Sequence, residues 1–245
     1  MSLKKSMLLF SILIGGCIPS ETRTRIAEFT EEPVVEGSNI YLVAMEQLPG
    51  DMLRYTLSTG ESISGTQVKY IREIASKFNV KKVQIAELLL NLYVKKDEME
   101  HAYFVSPYDP WTKNGLWRKS GIWLYLGFKE ADPYLRFRVE FHGQHWLFVE
   151  SFKIAADDYR WQSPSYAFKR RAVGGVEEWI DIPATPNEVA LARKLSQAEK
   201  AVVRFRGSEY NEDVELTPDQ KDAIVKILRL FELMTSNLAK PKSDL

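Results

Sequence analysis

Hydrophobic residues recur at helical spacing between residues 68 and 92, in two runs separated by a polar turn. The positions that share a helical face are Val68, Ile71, Ile74, Ala75 and Phe78 in the first run, and Ile85, Leu88, Leu89 and Leu92 in the second. Apolar residues three and four positions apart lie on one side of a helix, so the pattern predicts a helical hairpin. The segment also has the outline of a helix-turn-helix, but Lys81 and Lys82 alone offer a small phosphate-binding surface, and we expect no nucleic-acid partner.

Further along the chain, hydrophobic and polar residues alternate, which is typical of a β-strand with one buried face. The apolar series is Leu135, Phe137, Val139 and Phe141, and the polar series is Tyr134, Arg136, Arg138 and Glu140. Gly143-Gln144 predicts a two-residue turn that returns the chain along a second strand at residues 146–154. With strand candidates at residues 122–128, 159–162 and 176–182, the simplest arrangement is an antiparallel meander.

Two further helices are predicted in the last third of the chain by similar start signals. Thr185-Pro186-Asn187-Glu188 and Thr217-Pro218-Asp219-Gln220 each supply a capping hydroxyl, a proline at the first helical position, and an acid or amide three residues after the cap. Between the two helices, residues 201–206 alternate as a strand.

These elements predict an α+β fold, with a twisted antiparallel β-meander sheet, C-terminal helices and a preceding N-terminal helical hairpin. We divide the chain into five segments by their character. They are a signal peptide at 1–16, a flexible tether at 17–38, an N-terminal region with the helical hairpin at 39–100, an aromatic-rich α+β domain at 101–237, and a frayed tail at 238–245.

Composition excludes a disordered chain and gives no support to non-specific binding of polyanions. The 245 residues are 45% hydrophobic and 27% charged, with 33 basic and 33 acidic side chains. Removal of residues 1–16 would take away Lys4 and Lys5 and leave 31 bases against 33 acids. A chain of that balance has no global attraction for nucleic acid.

The first 17 residues have the layout of an export signal. Lys4 and Lys5 precede an apolar run over residues 7–14, which is followed by Gly15, Gly16 and Cys17. The run is about half the roughly 20 residues of a transmembrane helix, so a permanent span is disfavoured.

Ile14-Gly15-Gly16-Cys17 resembles the lipobox of bacterial lipoprotein precursors, an aliphatic residue and two small residues before a cysteine. The resemblance covers only residues 1–17. It implies thioether-linked lipid on Cys17, cleavage between Gly16 and Cys17, and a membrane partner reached through that lipid. The implied location is the cell envelope, on the exported side of a membrane. In enterobacteria, an Asp directly after the lipidated cysteine favours retention in the inner membrane. This chain has Ile18 at that position, so the outer membrane is favoured if the source has one.

Two histidines beside the predicted Gly143-Gln144 turn are the candidate metal ligands. In a two-residue hairpin, His142 and His145 would be cross-strand neighbours and Glu140 would share their face. Two imidazoles and a carboxylate can form an open zinc or iron site, although a solvated hairpin end has the same pattern. No cofactor is expected.

Residues 103–179 contain 19 aromatic side chains and all six tryptophans. Most belong to a core, but exposed rings can stack on a glycan or seat an envelope protein. Trp111, Trp117 and Trp161 are the candidate platform because they lie near predicted turns. The basic cluster Lys169-Arg170-Arg171 and the acidic pair Glu177-Glu178 are interpreted as surface charges.

The sequence contains no H-E-x-x-H, no G-x-S-x-G and no Walker phosphate loop, so no catalytic residue is assigned. Whether the protein is an enzyme stays open, and we lean against it. We expect a lipid-anchored envelope lipoprotein that acts by binding or structural support. The alternatives are an envelope enzyme of another type and a membrane-associated sensor.

Overall fold

A computed structural model gives the fold of most of the chain. It describes residues 42–48, 52–57, 62–89, 92–107, 119–172 and 174–238. The strands are β1 (Leu42–Leu48), β2 (Met52–Leu57), β3 (Ser62–Ser64), β4 (Tyr93–Asp97), β5 (Ala102–Ser106), β6 (Gly121–Lys129), β7 (Asp132–Gly143), β8 (Ser151–Ala156), β9 (Tyr159–Gln162), β10 (Lys169–Ala172), β11 (Val176–Pro183), β12 (Ala201–Arg206) and β13 (Asn211–Glu215). The helices are α1 (Gly65–Phe78), α2 (Lys82–Leu89), α3 (Pro186–Gln197) and α4 (Pro218–Leu238).

The largest sheet has six strands in the order β10-β11-β7-β6-β5-β4, and every neighbouring pair is antiparallel. The alternation predicted for β7 is confirmed, because Leu135, Phe137, Val139 and Phe141 are all buried in the hydrophobic core. The side chains between them lie on the opposite, outer face of the sheet. Strands β4 to β7 follow one another in space as they do in sequence, so this part of the sheet is an antiparallel meander.

A second sheet has four strands in the order β13-β12-β8-β9. The turn at Asp157 and Asp158 joins β8 to β9, which lie where the strand candidates at 146–154 and 159–162 were predicted. The predicted hairpin through Gly143-Gln144 was wrong, because β7 pairs with β6 and β11, and β8 pairs with β12 and β9. Both edges of β7 are therefore occupied, and residues 144–150 carry the chain from one sheet to the other.

Both C-terminal helices begin where the sequence predicts. Thr185 and Glu188 form a complete capping box at α3. At α4, the Thr217 backbone N–H donates to Gln220 Oε1 at 2.8 Å, and the Gln220 amide nitrogen donates to the Ser120 carbonyl oxygen at 3.2 Å. The second contact ties the helix start to the beginning of β6, and α4 packs on β6 and β7.

The N-terminal helical hairpin is also present, since α1 and α2 pack against each other and against α4. One cluster of buried apolar side chains runs from Ile71 in α1 to Met234 in α4. The segment boundary predicted between residues 100 and 101 falls in the turn of the β4–β5 hairpin, so the sheet and its core run across it. The fold is α+β, as predicted. Within the described residues, no helix is both long and apolar enough to cross a membrane.

Candidate binding cleft

A half-open cleft of about 880 Å³ lies where the end of β7, the loop 144–150, the β10–β11 turn and the β12–β13 hairpin meet. The residues that give it chemical character are His142, His145, Trp146, Glu177, Tyr210 and Glu212. The volume is within the roughly 300–1,000 Å³ of small-molecule sites, so the cleft is large enough for a ligand.

The loop 144–150 is held by a buried carboxylate. Glu178, on the core face of β11, has no exposed surface. Its Oε1 accepts the backbone N–H groups of Leu147 at 2.7 Å and Phe148 at 2.9 Å, and its Oε2 accepts the N–H of Val149 at 2.7 Å. Three successive N–H groups that point at one anion form a concave nest, so the loop is fixed without a regular strand ladder.

Arg170 completes this clamp from the edge strand β10. Its Nε donates to Glu178 Oε2 at 2.9 Å, and its Nη2 donates to the Val149 carbonyl oxygen at 3.2 Å. The charge of Glu178 is thus neutralised by a guanidinium and by aligned backbone dipoles. A buried carboxylate without such partners would cost several kcal/mol.

Phe148 has a strained backbone, with φ of +53°. Bulky residues rarely occupy this left-handed region, and the cost is about 1–3 kcal/mol. The conformation lets the N–H of Phe148 point at Glu178 in line with its neighbours. The residue with this strained backbone also carries an exposed ring, since the Phe148 side chain is 50% exposed.

Three large aromatic side chains lie at the surface beside the cleft. Trp146 is 36% exposed, Phe148 is 50% exposed and Tyr210 is 70% exposed. The Trp146 and Phe148 ring centroids are 6.2 Å apart with 31° between the planes, and the Arg170 guanidinium lies 5.4 Å from the Phe148 centroid. Trp146, Phe148 and Tyr210 are called the aromatic platform below.

The β12–β13 hairpin reaches the loop through a close backbone approach at Gly207. A Cβ at this position would lie 1.8 Å from the Leu147 carbonyl oxygen. The Gly207 N–H donates to the Tyr210 carbonyl oxygen at 2.9 Å, which closes the hairpin turn. A residue without a side chain is therefore required where the two sheets meet, and Tyr210 is brought to the cleft as a result.

The outer face of the six-stranded sheet begins at the cleft with a pair formed by the half-buried His142 and the buried Glu140. His142 Nε2 lies 2.8 Å from Glu140 Oε1, and Arg138 Nε donates to Glu140 Oε2 at 2.6 Å. Burial by itself would raise the pKa of Glu140. The hydrogen bonds from His142 and Arg138, with the positive charge of Arg138, outweigh burial and hold that pKa at about 2.

The network continues along the sheet through Asp181. Arg136 Nε donates to Asp181 Oδ1 at 2.8 Å, and the Tyr125 hydroxyl donates to Asp181 Oδ2 at 2.9 Å. Burial, followed by the negative charge of Asp181, raises the pKa of Tyr125 to about 12. At the cleft end of the face, Arg171 Nε donates to the buried Glu177 at 3.0 Å. The charges on this face are paired with one another, as buried charges must be.

The predicted metal site depended on the Gly143-Gln144 hairpin, so its geometry was wrong. His142 lies opposite Glu177 of β11 and bonds to Glu140, whereas His145 is exposed in the loop. In the part of the chain that the structure describes, no group of three or more His, Cys, Asp or Glu side chains is placed to hold a metal ion.

The predicted aromatic residues have different outcomes. Trp111 and Trp117, like Gly16 and Cys17, lie outside the described residues. Trp161 is half-buried and packs against Phe152, with ring centroids 5.5 Å apart.

The interpretation of the acidic pair as surface charges was wrong. Glu177 and Glu178 do point to opposite faces of β11, but both are buried. Their partners Arg171 and Arg170 are on β10, whose side chains are exposed. The basic cluster is therefore an edge strand in which two of the three cations are already paired.

Sequence reasoning missed Trp146, Phe148 and Tyr210. Residues 146–149 read Trp-Leu-Phe-Val, an apolar run in which either set of alternate residues could face the core. Leu147 and Val149 are buried, which leaves the two aromatic rings outside. The signal available in the sequence was the absence of any polar residue in this run to face solvent.

No family model, curated protein or solved structure matches this chain.

Proposed function

We propose that this protein is a lipid-anchored cell-envelope lipoprotein that binds a ligand or partner through its aromatic platform and cleft. The anchor is supported by the sequence Ile14-Gly15-Gly16-Cys17 after a short apolar run. In this proposal Cys17 carries the lipid and the folded domain is held near a membrane on the exported side. Two or three acyl chains would make the attachment effectively permanent, at about 0.8 kcal/mol for each buried methylene.

Binding is carried by one observation, the exposure of three large aromatic side chains beside the cleft, two of them on a loop fixed by a fully buried carboxylate. Exposed aromatic rings in a monomer mark interaction surfaces when they are grouped beside a cleft. The clamp gives the platform a fixed shape before a ligand arrives, so little conformational entropy is lost on binding. A purely structural module would have no need to expose these rings.

Metabolic palmitate labelling tests the anchor. Wild type should incorporate label and sediment with membranes, whereas Cys17→Ala should incorporate none and be released. Cys17→Ser is the matched control, since it keeps a small polar side chain but cannot form the thioether. Equal label in wild type and both variants would exclude lipidation at Cys17.

Envelope fractionation on a density gradient tests the location. Because residue 18 is Ile, we expect the protein in the outer-membrane fraction of a two-membrane host. An Ile18→Asp variant should move to the inner membrane in an enterobacterial host. If wild type and Ile18→Asp are found in the same fraction, sorting does not depend on this position.

A second candidate function, an envelope hydrolase, is favoured by the pair Glu140 and His142. His142 lies in the wall of the cleft, and a buried carboxylate holds its Nε2, which is how a general base is oriented. His142→Gln would then abolish turnover of a bound ligand but leave its binding intact. A ligand recovered unchanged after long incubation with wild type would exclude this candidate.

A further inference from the structure

We infer that the cleft binds a linear, uncharged glycan, with sugar rings stacked on Trp146 and Tyr210 and hydroxyl groups bonded by the polar residues of the wall. This inference rests on the proposed binding function and names its ligand class. It does not depend on lipidation of Cys17.

The first argument is the pairing of aromatic and polar groups in one cleft. Trp146 and Tyr210 supply flat apolar surfaces, and His142, His145 and Glu212 supply hydrogen-bonding groups next to them. A pyranose ring has an apolar C–H face and a rim of hydroxyls, so it needs both kinds of surface close together. A wholly apolar ligand would cover the exposed imidazole of His145 and the exposed carboxylate of Glu212 without bonding to them, which is costly.

The second argument is charge. The described residues that line the cleft contain no Lys or Arg, and since Glu177 is buried and paired with Arg171, the carboxylate exposed in the lining is that of Glu212. This lining repels phosphate and carboxylate groups, so nucleic acid and anionic lipid headgroups are disfavoured occupants. A neutral polyol has no such penalty, and carboxylates are strong acceptors for its hydroxyl groups.

The nearby cations do not change this conclusion. Arg170 and Arg171 lie on β10, but their guanidinium groups bond to Glu178 and Glu177. A surface that docks on anionic membranes uses cations whose charge is not already neutralised. The aromatic platform therefore stands beside a region with little net positive charge, which favours a glycan over a lipid surface.

The third argument is the shape and stiffness of the site. The cleft is half-open, which suits a chain that enters and leaves along its length better than a small enclosed molecule. Trp146 is positioned by the loop that Glu178 clamps, and Tyr210 by the approach of Gly207 to Leu147. The backbone that carries each ring is therefore held in place before a ligand arrives, which lowers the conformational cost of binding a sugar.

Isothermal titration of the full chain in a non-ionic detergent tests the inference. The probes are the hexamer of N-acetylglucosamine and cellohexaose, which distinguish an acetamido-bearing chain from a simple hydroxylated one. We expect wild type to bind at least one of them, and Trp146→Ala and Tyr210→Ala each to weaken that binding by about tenfold or more. Met99→Ala is the matched control, since Met99 is 90% exposed but lies in the β4–β5 turn, at the opposite edge of the six-stranded sheet.

A parallel arm uses vesicles of phosphatidylcholine with one quarter phosphatidylglycerol. The inference is overturned if wild type binds neither hexasaccharide, if Trp146→Ala and Met99→Ala bind equally well, or if the vesicles are bound through Trp146 in place of the sugars. Circular dichroism and chemical unfolding of each variant establish that it is folded. Palmitate labelling of the same wild-type chain is independent of these results. Failure of the glycan inference would therefore not affect the anchor proposal, which is decided by the labelling alone.

Discussion

On the outer face of the six-stranded sheet, carboxylates are buried, whereas on the adjoining loop 144–150 large aromatic rings are exposed. Glu140 and Glu177 represent the first region, and Trp146 and Phe148 represent the second. Both regions depart from the usual pattern of a globular protein, in which charged side chains are exposed and large apolar ones are buried. The buried acids are each paired with arginine or histidine, so their burial is explained by the fold itself.

The exposed rings have no comparable explanation within the fold. Glu178 connects the two regions, because it is a buried acid whose partners are the backbone N–H groups that position Trp146 and Phe148. We conclude that the buried charges maintain the structure and that the exposed aromatic rings are available for binding. Substitutions of the buried acids should therefore lower stability, whereas substitutions of the exposed rings should leave stability nearly unchanged and weaken binding.

The largest effect is expected for Glu178→Gln. The substitution removes the charge that Arg170 needs and turns an amide N–H₂ group toward backbone donors, so the free energy of unfolding should fall by about 3–5 kcal/mol. Chemical denaturation measures this. Glu87→Gln on the exposed face of α2 is the control and should change the value by less than about 0.5 kcal/mol. A loss below about 1 kcal/mol for Glu178→Gln would mean that the clamp does not stabilise the loop.

Glu140 should give a pH-dependent effect. Its pKa is about 2 in the folded protein against an ordinary 4.5, so its contribution is present above about pH 4.5 and is lost as the pH falls toward 2. The difference corresponds to about 3 kcal/mol. Between pH 5 and pH 2, wild type should therefore lose about 3 kcal/mol more stability than Glu140→Gln. Parallel pH profiles for the two chains would show that Glu140 is not held ionised by its neighbours.

Gly207→Ala tests the approach of the two sheets at the cleft. The new Cβ would collide with the Leu147 carbonyl oxygen, so the backbone must shift and we expect a loss of about 3 kcal/mol. Gly174→Ala is the matched control, because Gly174 has φ of +63° and open space around it. It should cost only about 1 kcal/mol, the price of a left-handed alanine. Equal losses would contradict the close packing at Gly207.

The smallest effect on stability is expected for Phe148→Asn. Asn tolerates the left-handed backbone better than Phe, and the exposed ring buries little surface, so the free energy of unfolding should stay within about 1 kcal/mol of wild type. Phe152→Ala, at a fully buried Phe a few residues away, should lose about 3–5 kcal/mol. Thermal and chemical unfolding of both variants would show whether Phe148 is a surface residue or part of the core.

Features set by neighbouring residues could be predicted from the sequence. The Thr185 and Thr217 caps need only the next three residues, and the buried face of β7 follows from its alternation. The β7–β8 hairpin could not be decided in this way, because Gly143-Gln144 permits a reversal but does not determine which strand takes the edge of β7. That edge is occupied by β11, which begins more than thirty residues later in the chain.

The candidate site was harder to predict for the same reason. Two consecutive glutamates such as Glu177 and Glu178 are typical of a protein surface. Only the hydrogen bonds from the distant residues Leu147 and Val149 show why Glu178 is buried. Trp146 and Phe148 lie in a continuous apolar run whose orientation depends on that clamp. Exposure of these rings is thus a consequence of tertiary contacts and not of local pattern.

Native-state hydrogen exchange of the Leu147, Phe148 and Val149 amides tests most directly whether residues 144–150 form a fixed platform. All three N–H groups bond to Glu178, so they should exchange only when the domain unfolds, at rates like those of amides in the centre of β7. Exchange as fast as that of the exposed β4–β5 turn would show that the loop opens on its own, and the account of a pre-formed aromatic surface would then be wrong.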